Sequence, residues 1–447
     1  MSRPNVLLVF MDDCTHWALN DPQVHTPHLD RLRARGVQFT HAHNQGSTMG
    51  AVCLPAREML LSGRHLFHVR GHLPDTPRLA QVMGTAGLRS CFVGKWHNEE
   101  ALLDDYDVVG PHHLGGMFES SGTAEAGTDP YHRPAPGNHW DPTDTSLGGH
   151  WLTREDGTVE HSSQRWADAA VGFLHEHAAG GGTEPFFLHV AFHAPHDPRQ
   201  APAEYVDAYD PSSVIVPPNC WGEHPFDNGS LGIRDELLAP FPRTAAAVQL
   251  HRREYFAILS HADAQIGRIL DTLDELALTD DTIVVFSGDH GLALGEHGLL
   301  GKQSCYDHSI RVPLVVAGPG VPQGETRDDL VYSGSILATL GEFVGAEVPD
   351  SVEFPSLAGI VRGSAVGMPE LYGAYGLGEQ SQRWLRTATH KVISYPTRDR
   401  VQLFCLADDP WEMVDLADDP AAASVRDELL DRLAAAQVRY GDPLSPR

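Results

Sequence analysis

Residues 3–13 read RPNVLLVFMDD: six consecutive apolar side chains, Val6 to Met11, stopped at once by Asp12 and Asp13. A run this short, rich in Val, Leu and Phe, fits a strand buried on both faces better than a helix. Four further runs share that texture, at Ser90–Val93, Phe186–Phe192, Ile283–Phe286 and Leu314–Val316, and all five read as buried parallel strands. Helical patterns lie between them, at Ser163–Ala178 and across Ala247–Leu276, where Phe256, Leu259, Ile266, Leu270 and Leu273 share a face. Strands alternating with helices predict an α/β fold: a large, mostly parallel mixed sheet sandwiched by helices. Ligands of such sheets collect at the carboxyl ends of the strands, so the residues just after each run carry the chemistry.

From about residue 365 the pattern changes. RWLRTATHKVISYP (383–396) and VQLFCL (401–406) read as short strands joined by turns, followed by a helix near Ala422–Gln437. This predicts a catalytic α/β domain over residues 1–364 and a small C-terminal subdomain over 365–447, an antiparallel sheet with a terminal helix. Residues 110–160 are rich in Gly, Pro, His and Ser without periodicity, and read as a long ordered loop over the sheet edge.

Of 447 residues, 41% are hydrophobic and 21% charged, enough to bury a large core. Asp and Glu total 60 against 32 Lys and Arg, a formal charge of −28, which disfavours nucleic-acid backbones and anionic membranes as partners. An anionic substrate therefore requires a local cluster of cations or a metal. The first apolar run ends too early for a secretory leader, and no stretch approaches the roughly 18–20 apolar residues of a membrane helix. Six cysteines, Cys14, Cys53, Cys91, Cys220, Cys305 and Cys405, show no framework spacing. Reduced thiols and a cytoplasmic setting are expected.

The run Thr282–Phe286 ends in SGDHG, which puts Asp289 and His290 at the same end of the sheet as Asp12 and Asp13. Three carboxylates and an imidazole suit calcium or magnesium, and the nitrogen would also accept manganese. Either pair alone fits equally well as turn and cap residues. Cys53 opens CLPAREMLLSGR, where Pro55 suits a first helical turn. A cysteine there faces unpaired amides and a positive dipole end, which favours a nucleophile; the alternative is a small buried apolar side chain.

The motifs fall in one order: RPNVLLVFMDD, CLPAR with LLSGR, GKWH (94–97), FLHVAFHAPHDPRQAP (187–202), VVFSGDHG (284–291), GKQSCYDHSIRVPLVV (301–316) and LFCLADDPWEMVDLADDP (403–420). This set resembles the formylglycine-dependent sulfatases of the alkaline phosphatase superfamily. The resemblance implies a sulfuric ester hydrolase in which a formylglycine-generating enzyme oxidises Cys53 to formylglycine, whose hydrate attacks sulfur. It implies that Asp12, Asp13, Asp289 and His290 hold a divalent metal, calcium first, with magnesium or manganese as alternatives. Arg57 would steady the diol, Lys95 and His97 would hold diol and sulfate from one side of an extended GKWH segment, Lys302 would bind sulfate, and His196 would protonate the leaving oxygen.

Two positions depart from the commonest family pattern: Ala56 stands where Ser is usual, and His290 where many relatives have Asn. For substrate, residues 184–203 resemble sulfatases acting on carbohydrates, so a small-molecule or oligosaccharide sulfate ester is expected. His112, His113, His139, Trp140, His150 and Trp151 are candidates to line a sugar pocket, and Arg383 and Arg386 to reach an acidic sugar. Phosphonate monoester or phosphodiester hydrolysis is one alternative, and a catalytically silent binding relative is another.

Overall fold

The structure, a computed structural model, describes residues 3–69, 73, 76–117, 141–154 and 156–445. Its first strand, Asn5–Met11, is buried along its whole length and lies at the middle of a nine-stranded sheet. On one side it pairs in parallel with Phe186–Phe192, followed by Arg89–Lys95 and Val108–His113. On the other it pairs in parallel with Thr282–Gly288. Side chains alternate across this strand. Leu7, Val9 and Met11 enter the core that contains Trp166, Phe256 and Ile266 from the long helices, whereas Val6, Leu8 and Phe10 enter the opposite core with Val82, Leu337 and Leu340. Each buried Leu, Val or Phe stabilises the sheet by about 1.5–3 kcal/mol.

Four of the five anticipated strands are parallel, and the fifth is not. Arg311–Ala317 runs antiparallel to both neighbours, Thr282–Gly288 and Gly36–His43. The apolar run specifies burial on two faces, and chain direction is set by the connection. The connection from Gly288 to Arg311 contains one helix, the four-residue turn Asp307–Ile310, and so no helix long enough to cover a face of the sheet and carry the chain back to its starting end. Of the segment 110–160, residues 118–140 and 155 lie outside the described residues, and the described part contains strands. Its start belongs to the edge strand Val108–His113, and Trp151–Thr153 pairs with Val159–His161.

The helices match the periodicity closely: Ser162–Ala179, Ala245–Glu275 and Ala423–Arg439. Thr244 caps the long one by accepting the Ala247 N–H at 3.2 Å. The last packs on a five-stranded sheet ordered Arg400–Cys405, His390–Tyr395, Gln382–Arg386, Leu371–Tyr375 and Gly46–Ser47. The first four are antiparallel, and the fifth, from far upstream, adds in parallel to Leu371–Tyr375. No helix among the described residues is long and apolar enough to cross a membrane.

The junction at Gly46 tolerates no side chain. Its φ is +86°, and a Cβ would stand 1.9 Å from the carbonyl oxygen of Ala374. Gly46→Ala is expected to destabilise the protein by about 2 kcal/mol or more. The melting temperature should fall by several degrees, and an unchanged melting curve would refute the tight coupling of the two sheets.

Candidate active site

Four adjacent parallel strands deliver one functional side chain each at their carboxyl ends: Asp289 after Thr282–Gly288, Asp12 after Asn5–Met11, His196 beyond Phe186–Phe192, and Lys95 closing Arg89–Lys95. Cys53 is the first residue of the helix Cys53–Ser62, which ends at Gly63 with φ +66°. Its first turn faces the same point. Asp12, Cys53, Asp289 and His290 offer ligand atoms all within 4.8 Å of one another, and so do Asp12, Asp13 and His196.

The charges interlock. Lys95 Nζ contacts Asp12 Oδ2, and Arg57 Nη2 lies 3.2 Å from the same oxygen and 3.4 Å from Asp289 Oδ2. Arg57 Nη1 also donates to the Lys95 carbonyl at 2.8 Å, which ties helix to strand. Lys302 Nζ donates to Asp13 Oδ1 at 2.6 Å. Asp13 has φ +64°, unusual for a side-chain-bearing residue and costing about 1–2 kcal/mol. It is held there because its N–H donates to Asp289 Oδ1 at 3.1 Å and its carbonyl accepts the Tyr255 hydroxyl at 2.8 Å.

Burial would raise the Asp12 carboxyl, but Lys95, His196, Arg57 and Lys302 outweigh it and hold the group well below the usual carboxylate range. Asp13 goes the other way, pushed by burial to about 7. Burial and Asp12 oppose ionisation of the Cys53 thiol, yet Lys302, Lys95 and a hydrogen bond with His290 bring it well below its ordinary value. For His290, burial is outweighed chiefly by Asp289, which draws the imidazole up to about 9.

Two carboxylate oxygens test the fit of a metal. Asp12 Oδ1 and Asp289 Oδ2 are buried with no hydrogen-bond partner among the described residues, although each faces the cluster. Carboxylates left this way are costly unless a cation completes them. With His290 and Asp13 alongside, the donor set suits a divalent ion of the oxygen-preferring kind.

Nine of the ten anticipated site residues thus meet: Asp12, Asp13, Cys53, Arg57, Lys95, His196, Asp289, His290 and Lys302. His97 is placed differently. The strand ends at Lys95 and His97 takes φ +56°, so GKWH is not extended through it. It lines a cavity of about 320 Å³ with Leu54, Glu58 and Leu102, and its buried Nδ1 has no hydrogen-bond partner among the described residues.

Three of the substrate-lining candidates, Arg383, Arg386 and His150, are taken up inside the fold. Arg383 is fully buried and pairs with Asp442 at 2.5 Å, and Arg386 pairs with Asp307 at 2.5 Å, so neither is available to an acidic sugar. His150 is fully buried, with both ring nitrogens bonded. Trp151 packs edge-on against His161, His113 packs edge-on against His193, and His112 Nδ1 bonds the Gly110 carbonyl at 3.1 Å. His139 and Trp140 lie outside the described residues. Sequence reasoning missed Asn44, which donates to the Asp289 carbonyl at 3.0 Å, and Tyr255, which bridges the Asp13 carbonyl and the Thr15 N–H. Each is a lone polar residue without a motif.

Stripping divalent ions with a chelator should lower the melting temperature by several degrees, because the three carboxylates then repel one another. Calcium or magnesium should restore it, and Asp289→Ala should abolish the shift. Identical melting with and without metal would rule the centre out.

The sulfatase family model matches residues 4–346, and a second model, described as N-sulphoglucosamine sulphohydrolase, C-terminal, matches residues 295–439. The chain is 30% identical to the choline-sulfatase of Rhizobium meliloti (strain 1021) over 451 residues, covering 94% of this chain and 83% of that one. Among solved structures, the phosphonate monoester hydrolase from Silicibacter pomeroyi shares the fold at TM-score 0.77 and 21% identity, covering 98% of this chain and 96% of that chain. A protein solved in complex with its substrate D-glucosamine-2-N,6-O-disulfate does so at TM-score 0.74 and 20% identity, covering 99% of each. A family match over most of the chain, together with a 30% identical relative covered over most of its length, identifies the chain as a member of the sulfatase family, a type I sulfatase of the alkaline phosphatase superfamily and a sulfuric ester hydrolase.

Proposed function

We propose that the protein hydrolyses a sulfate monoester of a carbohydrate, using formylglycine formed from Cys53 as nucleophile and a divalent ion, calcium first, held by Asp12, Asp13, Asp289 and His290. The observation that carries this reading is Cys53 itself, at the first position of a helix and within 4.8 Å of Asp12, Asp289 and His290. The carbohydrate assignment is supported by the relative solved with a disulfated glucosamine and by the C-terminal family match.

When present, the hydrated formylglycine supplies two geminal hydroxyls, one to attack sulfur and one to lose its proton as sulfate leaves, and the ion supplies a Lewis acid beside them. The remaining work falls to the chain. Arg57, clamped between Asp12, Asp289 and the Lys95 carbonyl, fixes the helix turn that presents position 53. Lys95 and Lys302 place two ammonium groups where a sulfate monoanion would sit, answering the repulsion of a chain with net charge −28. Nδ1 of His196 donates to the Asp197 carbonyl at 2.6 Å, which leaves Nε2 to face the leaving oxygen; Nε2 has a proton to give only in the doubly protonated ring, a form that burial and Lys302 pull well below the usual histidine range against Asp197 and Asp12.

Peptide mass spectrometry tests the nucleophile. In protein produced with a formylglycine-generating enzyme, the peptide containing Cys53 should be lighter by about 18 Da, as a thiol and a hydrogen give way to an aldehyde oxygen. Cys53→Ala should lose on the order of 10³-fold or more in kcat. Sulfated amino sugars should be cleaved faster than phenyl phosphonate monoesters. Full activity with an intact Cys53 thiol would sink the nucleophile assignment, and a preference for the phosphonate would move the protein to that reaction.

A further inference from the structure

His196 is carried by the loop that follows Phe186–Phe192, and two other histidines hold that loop at both ends. His150 Nε2 lies 2.9 Å from the carbonyl oxygen of His196, and His161 Nε2 lies 3.0 Å from the carbonyl oxygen of Gln200. A carbonyl only accepts, so in each ring the proton sits on Nε2 and Nδ1 must accept. The partners of Nδ1 agree: the Ser162 hydroxyl lies 3.0 Å from His150 Nδ1, and the Ser163 N–H donates to His161 Nδ1 at 3.1 Å.

The two rings are fully buried and stacked, with centroids 5.1 Å apart and planes 2° from parallel. Burial lowers both imidazoles, His150 to about 4 and His161 well below its ordinary range, so the pair stays neutral at physiological pH. The clamp is braced from the other side as well. The His150 N–H donates to Gln200 Oε1 at 2.9 Å, and Gly149, at φ +72°, lets the chains approach so closely that a Cβ would stand 2.4 Å from that oxygen.

We propose that His150 and His161 are positioning residues for the leaving-group proton: together they fix the 196–200 loop so that His196 Nε2 faces the oxygen of the departing alcohol. The inference rests on the assignment of His196 as the acid. In the step it serves, which starts from a doubly protonated His196, the S–O bond of the ester breaks, its electron pair goes to the leaving oxygen, and that oxygen takes the Nε2 proton, leaving a neutral imidazole whose Nδ1–H stays on the Asp197 carbonyl. Misplacement of a donor by about 1 Å costs up to 10²-fold in rate. The cost should appear only where the leaving oxygen needs the proton.

The test uses metal-loaded, matured protein with two probes, 4-nitrophenyl sulfate, whose phenolate departs without help, and phenyl sulfate, whose phenolate does not. His196→Ala should slow phenyl sulfate much more than the nitrophenyl ester. His150→Phe should reproduce that skew, slowing phenyl sulfate at least about tenfold more than its partner. His150→Gln, whose amide N–H can reach the same carbonyl, should recover part of the loss. Ser162→Ala, a milder change, should show the same skew more weakly and covers the case in which His150→Phe does not fold. An equal loss on both probes in the His150 and Ser162 variants, with His196→Ala still skewed, makes the clamp merely structural and overturns the proposal. A flat response in His196→Ala removes the acid assignment and the proposal with it. If the unaltered protein turns over neither aryl ester, the same variants are compared on a sulfated amino sugar, whose alkoxide always needs the proton: His150→Phe should then lose rate alongside His196→Ala, and a full rate in His150→Phe overturns the proposal.

Discussion

Asp12 has no exposed surface, yet the charges around it keep its carboxyl ionised, and much of the site follows from that one fact. A buried carboxylate needs counter-charges held rigidly, since removing one partner of such a pair costs about 3–5 kcal/mol. Lys95 arrives from a strand two places along the sheet, and Arg57 from the first turns of the Cys53–Ser62 helix. The same carboxylate therefore registers strand against helix. It also fixes the distance of Cys53 from Asp289 and His290. The left-handed Asp13 next to it is the local cost of turning the chain so that both acids face one point.

The small sheet takes part in this arrangement although no residue of it reaches the cluster. Asp307 sits between Arg386 and Lys391 of that sheet, and Lys391 contacts Glu412 as well. Gln382 donates to the Gln303 carbonyl at 3.3 Å, and Tyr306 bonds Gln402 at 2.8 Å. The contacts to Gln303, Tyr306 and Asp307 fall on the segment between Lys302 and the antiparallel strand Arg311–Ala317. The ammonium group on Asp13 is thus anchored from behind by the C-terminal residues.

Where pattern and physics agree, the sequence was informative. Runs of Val, Leu and Phe mark strands buried on both faces, and the acids that end two of them, Asp12 and Asp289, do lie side by side. Cys53 ahead of Pro55 marks a helix start because proline suits a first turn. Three kinds of information were missing. Strand direction is absent from an apolar run, so Arg311–Ala317 was read as parallel. Charge sign says nothing about burial, so Arg383 and Arg386 looked available, whereas Asp442 and Asp307, 59 and 79 residues away, already hold them. A histidine in a glycine-rich stretch reads as a candidate to line a pocket, and only the fold shows that His150 lies under the loop carrying His196.

The central position of Asn5–Met11 has a temporal side. This strand leaves the ribosome before either neighbour: Phe186–Phe192 follows about 175 residues later and Thr282–Gly288 about 270 residues later. At ordinary elongation rates of about 5–20 residues per second, its second edge stays unpaired for roughly 15–55 s. Throughout that interval an apolar, two-sided strand is exposed to any other nascent chain, and the acids that end it, Asp12 and Asp13, supply charge at its tip. The residues that later gather the reaction centre are therefore also the ones placed to keep the growing chain apart from its neighbours.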